Sequence, residues 1–453
     1  MRHHDPGPIC ARRTEASATE MKDESSAAPT RPARRRNPWW IPPFLGRVPD
    51  GVEPAHLRVL GFVTLAMFFE NYDLGMFSNA LPQIAATFGL DKAAQGTFTA
   101  MTRFGALPAF FLLPLADRIG RRRILLLSIA GMAIGSFATA LAQSPLQFVI
   151  AQLATRTCIG AAAITSFVVV SEEFPARHRG WGIGMLGGVG AIGYGFGALL
   201  YGAIEWLPFG WRSLYALGVV PLAFLPAFAR GLRETSRFKA LAERAAEAPH
   251  ALAAVAELVR RYPRRALAIA LIGGLSSAGT GPSFQFVSEF LQTERGWSPG
   301  SFAALTVLFG AFAIVGNPVA GRLGDRYGRR RVAACVLALF PLASLAFFAG
   351  PARWVALPWT LMVFLSMATT VCVRTLATEL FPTSLRGTGA GSLALLETIG
   401  VGTGLVLYGT AVGAFGSQSI ALPLVALACL GAAASVYLAP ETARRELEDV
   451  AVN

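Results

Sequence analysis

Charge is scarce in this chain: Asp, Glu, Lys and Arg together make up 15% of 453 residues, while 53% are hydrophobic. A water-soluble domain of this length has no interior large enough for so much apolar surface, which excludes a soluble enzyme or a soluble binding module. Acidic residues are the scarcer sign, 27 against 40 Lys and Arg, and a net charge of +13 would ordinarily raise nucleic acid as a partner. Here the arginines sort by position along the chain instead of forming one surface patch, so no nucleic-acid partner is expected. There are five cysteines; Cys158, Cys335, Cys372 and Cys429 fall inside apolar runs and Cys10 near the start, leaving no disulfide framework. The five histidines, His3, His4, His56, His178 and His250, all lie outside the apolar runs, so a proton carried through the apolar part must ride on a carboxylate. Metal-ligand clusters, nucleophile elbows and nucleotide loops are missing as well, so neither enzyme chemistry, nor a cofactor, nor a metal is expected.

What the chain does have is about twelve apolar runs of roughly 20 residues, each long enough to cross a bilayer. They centre near residues 70, 105, 133, 158, 192, 220, 277, 310, 340, 366, 400 and 428, six before a charged stretch at residues 230 to 265 and six after it. Leu115-Ala116-Asp117-Arg118-Ile119-Gly120-Arg121-Arg122-Arg123 returns as Leu323-Gly324-Asp325-Arg326-Tyr327-Gly328-Arg329-Arg330-Arg331. A second motif, Glu172, Pro175, Arg179 and Gly180, returns as Glu379, Pro382, Arg386 and Gly387. A duplicated apolar chain with charged hinges at matching places predicts an all-α membrane protein, twelve transmembrane helices in two pseudo-symmetric six-helix bundles, of the kind secondary transporters use. If the N-terminus is cytoplasmic, nearly all arginines fall on the inner side and only Lys92, Arg212, Arg295 and Arg353 remain outside. An even number of spans then places both termini in the cytoplasm. The expected division is a tail at 1–55 with a possible true start at Met21, bundles at 56–232 and 265–440, a cytoplasmic loop at 233–264 and a tail at 441–453. The tail is polar and low in complexity, and is expected to be disordered.

These motifs resemble those of the major facilitator superfamily, and the resemblance runs from about residue 56 to 445. The boxes match its signature loop between spans two and three and between spans eight and nine; the second copy includes Gly321, whereas the first has Leu113 at that place. Arg233-Glu234-Thr235-Ser236-Arg237-Phe238 and Pro440-Glu441-Thr442 resemble the endings of the sugar-porter and metabolite:proton symporter branches. The fifth span is rich in glycine but has no proline, unlike that of drug:proton antiporters. The resemblance implies alternating access, with spans one, four, seven and ten lining the cavity and a cytoplasmic gate made of Asp117, Arg118, Arg121, Arg122, Glu172, Arg179 and Glu234, with Asp325, Arg326, Arg329, Arg330, Glu379, Arg386 and Glu441. Its acid and base groups are expected to pair when the inner ends close and to part when they splay.

Ionisable groups at membrane depth are costly and mark functional sites. Glu70 and Asp73 in the first span, Arg103 in the second and Arg156 in the fourth are such groups. A rise of about 1.5 Å per residue puts Asp73, Arg103 and Arg156 at one level, roughly 21–24 Å from the cytoplasmic landmarks of their helices. Two acids and two bases balance, so a buried ion-pair cluster is the expected ground state. Related symporters have a coupling pair that Asp73, with Glu70, and Arg156 resemble; counting back from Glu172 places the fourth-span position at Gln152 instead, one turn from Arg156. Substrate contacts are expected from Arg103, Arg156, Gln152, Asn71, Gln285, Ser288 and Glu397, with an Arg374 to Glu397 pair as a further option and Glu289 at the outer rim. The leading expectation is a monomeric, multi-pass, inner-membrane symporter that moves a small organic anion with protons. Sugar or polyol symport, uniport and proton-driven efflux stay open, and a non-transporting sensor is the reading from another class.

Overall fold

In a computed structural model, residues 37–42, 47–109, 119–232, 234, 251–313, 316–382 and 385–442 are described. The side chains at 176–177, 251–254, 312–313, 316–318, 325 and 386 are not. The expectations for residues 1–36 and 43–46 of the N-terminal tail, for Asp117 and Arg118, for Leu113, for Arg233 and 235–238, and for the C-terminal tail beyond Thr442 lie outside the described residues, as do those for the side chains of Asp325 and Arg386. The chain separates into two units, residues 1–50 and 51–453. In the first, a turn at 38–41 is held by a backbone bond from Ile41 to Pro38, and Asn37 Oδ1 accepts from Val48 N at 3.1 Å.

Among the described residues of the second unit the regular structure is all helical, and nine of the described helices are long and apolar enough to cross a membrane. They are the third to seventh spans (Arg121–Ala140, Pro145–Glu173, His178–Gly202, Trp211–Gly231, Pro263–Thr293) and the ninth to twelfth (Arg329–Phe348, Ala356–Glu379, Gly387–Phe415, Gln418–Leu438). The first span, Pro54–Asn79, is equally long but carries Glu70 and Asp73. The second is described at Lys92–Phe104 and in helical residues at 107–109. The eighth is built from Pro299–Ala304, a wide turn at Leu305–Phe309, and helices Gly310–Ala313 and Gly316–Tyr327. The expected twelve-span order is therefore met. The loop expected at 233–264 contains a helix at Ala251–Arg261, whose Leu258 is buried.

Local signals explain the boundaries. Asp91 caps the second span by accepting from Ala94 N at 2.6 Å, and Ser144 caps the fourth, with Pro145 in its first turn. Gly120 (φ 109°) and Gly328 (φ 102°) take matching left-handed turns just before the third and ninth spans, a conformation that a Cβ would strain. Pro282 supplies no N–H to the seventh helix, which breaks three residues later and restarts at Val287.

The duplication extends to packing. Gly193 lets the fifth span approach Phe68 O of the first, where an added Cβ would stand 2.1 Å away; Gly400 lets the eleventh approach Gly274 O of the seventh, at 2.2 Å. Without a hydrophobic drive between helices in lipid, such close backbone contact is what holds them. The same device joins the two halves. Gly96 of the second span meets the backbone of Gly409 in the eleventh, and Gly202 of the fifth meets Ala303 of the eighth; the two contacts are related by the duplication, because Ala303 lies as far after Gly96 as Gly409 lies after Gly202. Both seams lie at the end opposite the arginine boxes.

Candidate functional site

At the arginine-box end the two halves repeat one construction. Arg121 Nη2 donates to Glu172 Oε1 at 3.1 Å, and Arg329 Nη2 to Glu379 Oε1 at 3.0 Å. Glu234 Oε1 accepts from Arg121 N and Arg122 N, capping the third span, and Glu441 does the same for Arg329 N and Arg330 N at the ninth. Arg122 and Arg330 each donate to a carbonyl near the end of their own half, Ala229 O and Tyr437 O, and Thr442 Oγ1 donates to Glu379. These pairs tie three helices together inside each half. They are formed within each half, Arg121 to Glu172 and Arg329 to Glu379. Arg326 instead lies over the Tyr327 ring.

Midway along the bundle, Glu70, Asp73 and Arg156 are 6%, 2% and 2% exposed, and the charge of Arg156 acts on both acids. Ser136 of the third span donates to Asp73 Oδ1 at 3.0 Å, in space kept by Gly218, where a Cβ would stand 2.1 Å from Ser136 Oγ. Arg156 Nε donates to Gln152 Oε1 at 3.3 Å, and Gln152 Nε2 donates to Thr139 at 3.1 Å. Gln152 and Arg156, one turn apart on the fourth span, are thus a bonded pair. Phe77, at 5.6 Å, covers a face of the guanidinium and leads into a buried aromatic group with Phe98, Phe148, Trp211 and Tyr215.

The expected closed ion-pair cluster is not what forms. Both terminal nitrogens of Arg156, Oδ2 of Asp73 and Oε2 of Glu70 are buried without a hydrogen-bond partner. The physical reason is anchoring: Ser136 holds Asp73 and Gln152 holds Arg156, so neither side chain is free to close on the other. An unpaired planar fork in a buried setting is a site for a carboxylate or another bidentate acceptor.

Arg103 takes a different partner. Its Nη2 donates to Gln285 Oε1 at 2.9 Å, and Ser78 Oγ donates to the same oxygen at 3.1 Å, so groups from spans one, two and seven meet across the halves. Asn71, Ser288 and Glu397 are not brought to this cluster. Asn71 donates back to Met67 O and packs against Gly190. Ser288 donates to Asn79 O at 2.6 Å, within the seam between the halves. Glu397 faces Arg374 at 3.8 Å inside the second half. Glu289, expected at the outer rim, is buried at 3% exposure.

Ser136, Thr139, Phe77 and the seam glycines Gly96, Gly202 and Gly409 escaped sequence reasoning, because a hydroxyl, a phenyl or a glycine in an apolar helix has no pattern that separates it from packing. A polar residue set among small ones, as in Gly135-Ser136, was the one available hint.

The profile of the Major Facilitator Superfamily matches residues 63–287 and 269–451 of the chain. A gallate transporter of Pseudomonas putida is 29% identical over 408 residues, covering 81% of this chain and 87% of the relative. A probable 4-methylmuconolactone transporter of Cupriavidus pinatubonensis is 26% identical, over 84% of this chain and 90% of the relative. Among solved structures, a D-xylose-proton symporter superposes with a TM-score of 0.66 at 19% identity, covering 85% of this chain and 98% of that one.

Proposed function

The chain belongs to the major facilitator superfamily, and we propose that this multi-pass membrane transporter carries a small organic acid, of the aromatic-carboxylate class, together with a proton. The observation that carries the reading is the buried, unpaired fork of Arg156 beside Asp73 and Glu70. A carboxylate bound there gains two charge-assisted hydrogen bonds, and the ring it bears meets Phe77. Gallate, named for one relative, is such a compound.

Charge balance supplies the coupling. Glu70 and Asp73 offset Arg103 and Arg156, so an arriving anion leaves the buried site one negative charge in excess. A proton on Asp73 or Glu70 restores neutrality, which makes proton and anion binding mutually favourable. The site then moves as a neutral load, and the halves rock about it.

Direction and membrane are further parts of the proposal: import across the plasma (inner) membrane of a bacterium, by a monomer with the arginine boxes and both termini in the cytoplasm, as the arginine distribution favours. On that assignment, small-residue seams and polar contacts close the outer side, which supports an inward-facing state.

The test is proton movement in proteoliposomes containing a pH-sensitive dye, challenged with aromatic carboxylates and then with sugars. Proton uptake with carboxylates alone is the expected result. A response to sugars alone would give Arg103 and Arg156 a structural role, and export of protons on substrate addition would mean antiport.

A further inference from the structure

Outside the central cluster, one more buried carboxylate sits between the two halves. Glu289 of the seventh span is 3% exposed and faces Gln95 of the second span, also 3% exposed. The orientation of the Gln95 amide is set, because Nε2 donates both to Leu90 O at 3.3 Å and to Glu289 Oε1 at 3.4 Å. The two remaining oxygens, Glu289 Oε2 and Gln95 Oε1, are buried and without a hydrogen-bond partner. Two acceptors left over in an otherwise matched acid and amide pair are one hydrogen short.

The charged and titratable groups facing Glu289 offset a negative charge on it only in part, Lys92 favouring it and Glu294 opposing it. Lys92, from the start of the second span, pairs with Glu294 at 2.8 Å. Glu294, one turn further along the same helix, is itself acidic and also accepts from Gln418 N and Ser419 Oγ. Tyr201 of the fifth span and Tyr408 of the eleventh are neutral phenols. A buried carboxylate with one long donor and no cation of its own is costly, whereas the acid form supplies a donor where two buried acceptors are left over.

We propose that Glu289 is a proton-binding site of the seam itself: a proton on Oε2, donated to Gln95 Oε1, closes the acid–amide pair and holds the outer side shut. Water supplies the proton before closure and takes it back on opening, so no other bond forms or breaks. This proton gates the seam and returns to the side it came from; it is distinct from one carried with substrate, and the inference holds whether or not the substrate is an acid. Opening exposes the pair to water, where the ionised form is solvated, so raising the pH favours the open seam and lowering it favours the closed one. A one-proton linkage changes the closed-to-open ratio by at most about tenfold per pH unit.

The experiment measures distances by double electron–electron resonance between spin labels at Trp206→Cys and Trp354→Cys, two exposed outer positions in opposite halves, with Cys10, Cys158 and Cys335 replaced by alanine. In the otherwise unaltered protein without substrate, the closed population is expected to fall as pH rises. Glu289→Gln, which mimics the protonated form, is expected to stay closed and lose this pH dependence, while Asp73→Asn keeps it. A titration unchanged in Glu289→Gln, or one abolished by Asp73→Asn and kept by Glu289→Gln, overturns the proposal. Glu289→Asp guards against a Gln variant that does not fold: it keeps a titratable group but draws it back from Gln95, so its midpoint is expected to move, and an unmoved midpoint also overturns the proposal.

Discussion

Arg103 and Gln285 join the two halves of the molecule at membrane depth, Nη2 of one donating to Oε1 of the other at 2.9 Å. This links the site to the seam, because the same glutamine oxygen accepts from Ser78 and the next turns of both helices carry the seam contacts. Gln285→Leu leaves a buried guanidinium nitrogen and a buried hydroxyl without their acceptor, a cost of about 1.5–3 kcal/mol. Uptake in proteoliposomes is expected to fall roughly 10- to 100-fold at equal protein incorporation. Unchanged uptake would remove this contact from the working cycle.

Asp73→Asn is expected to abolish proton-driven accumulation while substrate exchange stays measurable, since the site then accepts an anion without needing a proton. The readouts are concentrative uptake under an imposed pH gradient and counterflow without one. Loss of both in folded protein would make Asp73 a binding or structural residue.

A lysine cannot reproduce the two parallel donors of a guanidinium. Arg156→Lys is therefore expected to weaken carboxylate binding about tenfold or more, on the order of 1.4 kcal/mol, measured by substrate-dependent tryptophan quenching or calorimetry. Full affinity in the Lys variant would count against a bidentate grip.

At the seam, Gly96→Ala places a methyl 2.6 Å from Gly409 Cα and 2.7 Å from Leu405 O, both backbone atoms with no room to yield. The outer side should then resist closure. A cysteine at Gln83, which hydrogen-bonds Gln292 across the halves, is expected to react several-fold faster with an impermeant thiol reagent in this background. Equal rates would mean that the seam tolerates the methyl.

Glu441→Gln removes the charge that caps the ninth span at Arg329 N and Arg330 N. Loss of such a cap costs about 0.5–2 kcal/mol. The expected sign is lower thermal stability in detergent, with Glu234→Gln behaving alike because its half is built the same way. If only one of the two is destabilised, the structural equivalence of the boxes does not extend to energetics.

The sequence by itself determined the membrane environment, the twelve spans, the duplication and the buried charges. Each of these rests on local composition or on a repeat: apolar runs of bilayer length, arginine boxes in two copies, and ionisable residues where lipid makes them costly. Only the tertiary structure decided which partners these groups take. Ser136 claims Asp73 and Gln152 claims Arg156, so the cluster anticipated from charge counting stays open; Gln285 claims Arg103 from the opposite half. Such choices depend on helix rotation and on which glycines admit a neighbour, and at Gly96 and Gly193 that is settled by tenths of an ångström between atoms far apart along the chain. No local pattern encodes those distances, because they belong to the packing of several helices at once.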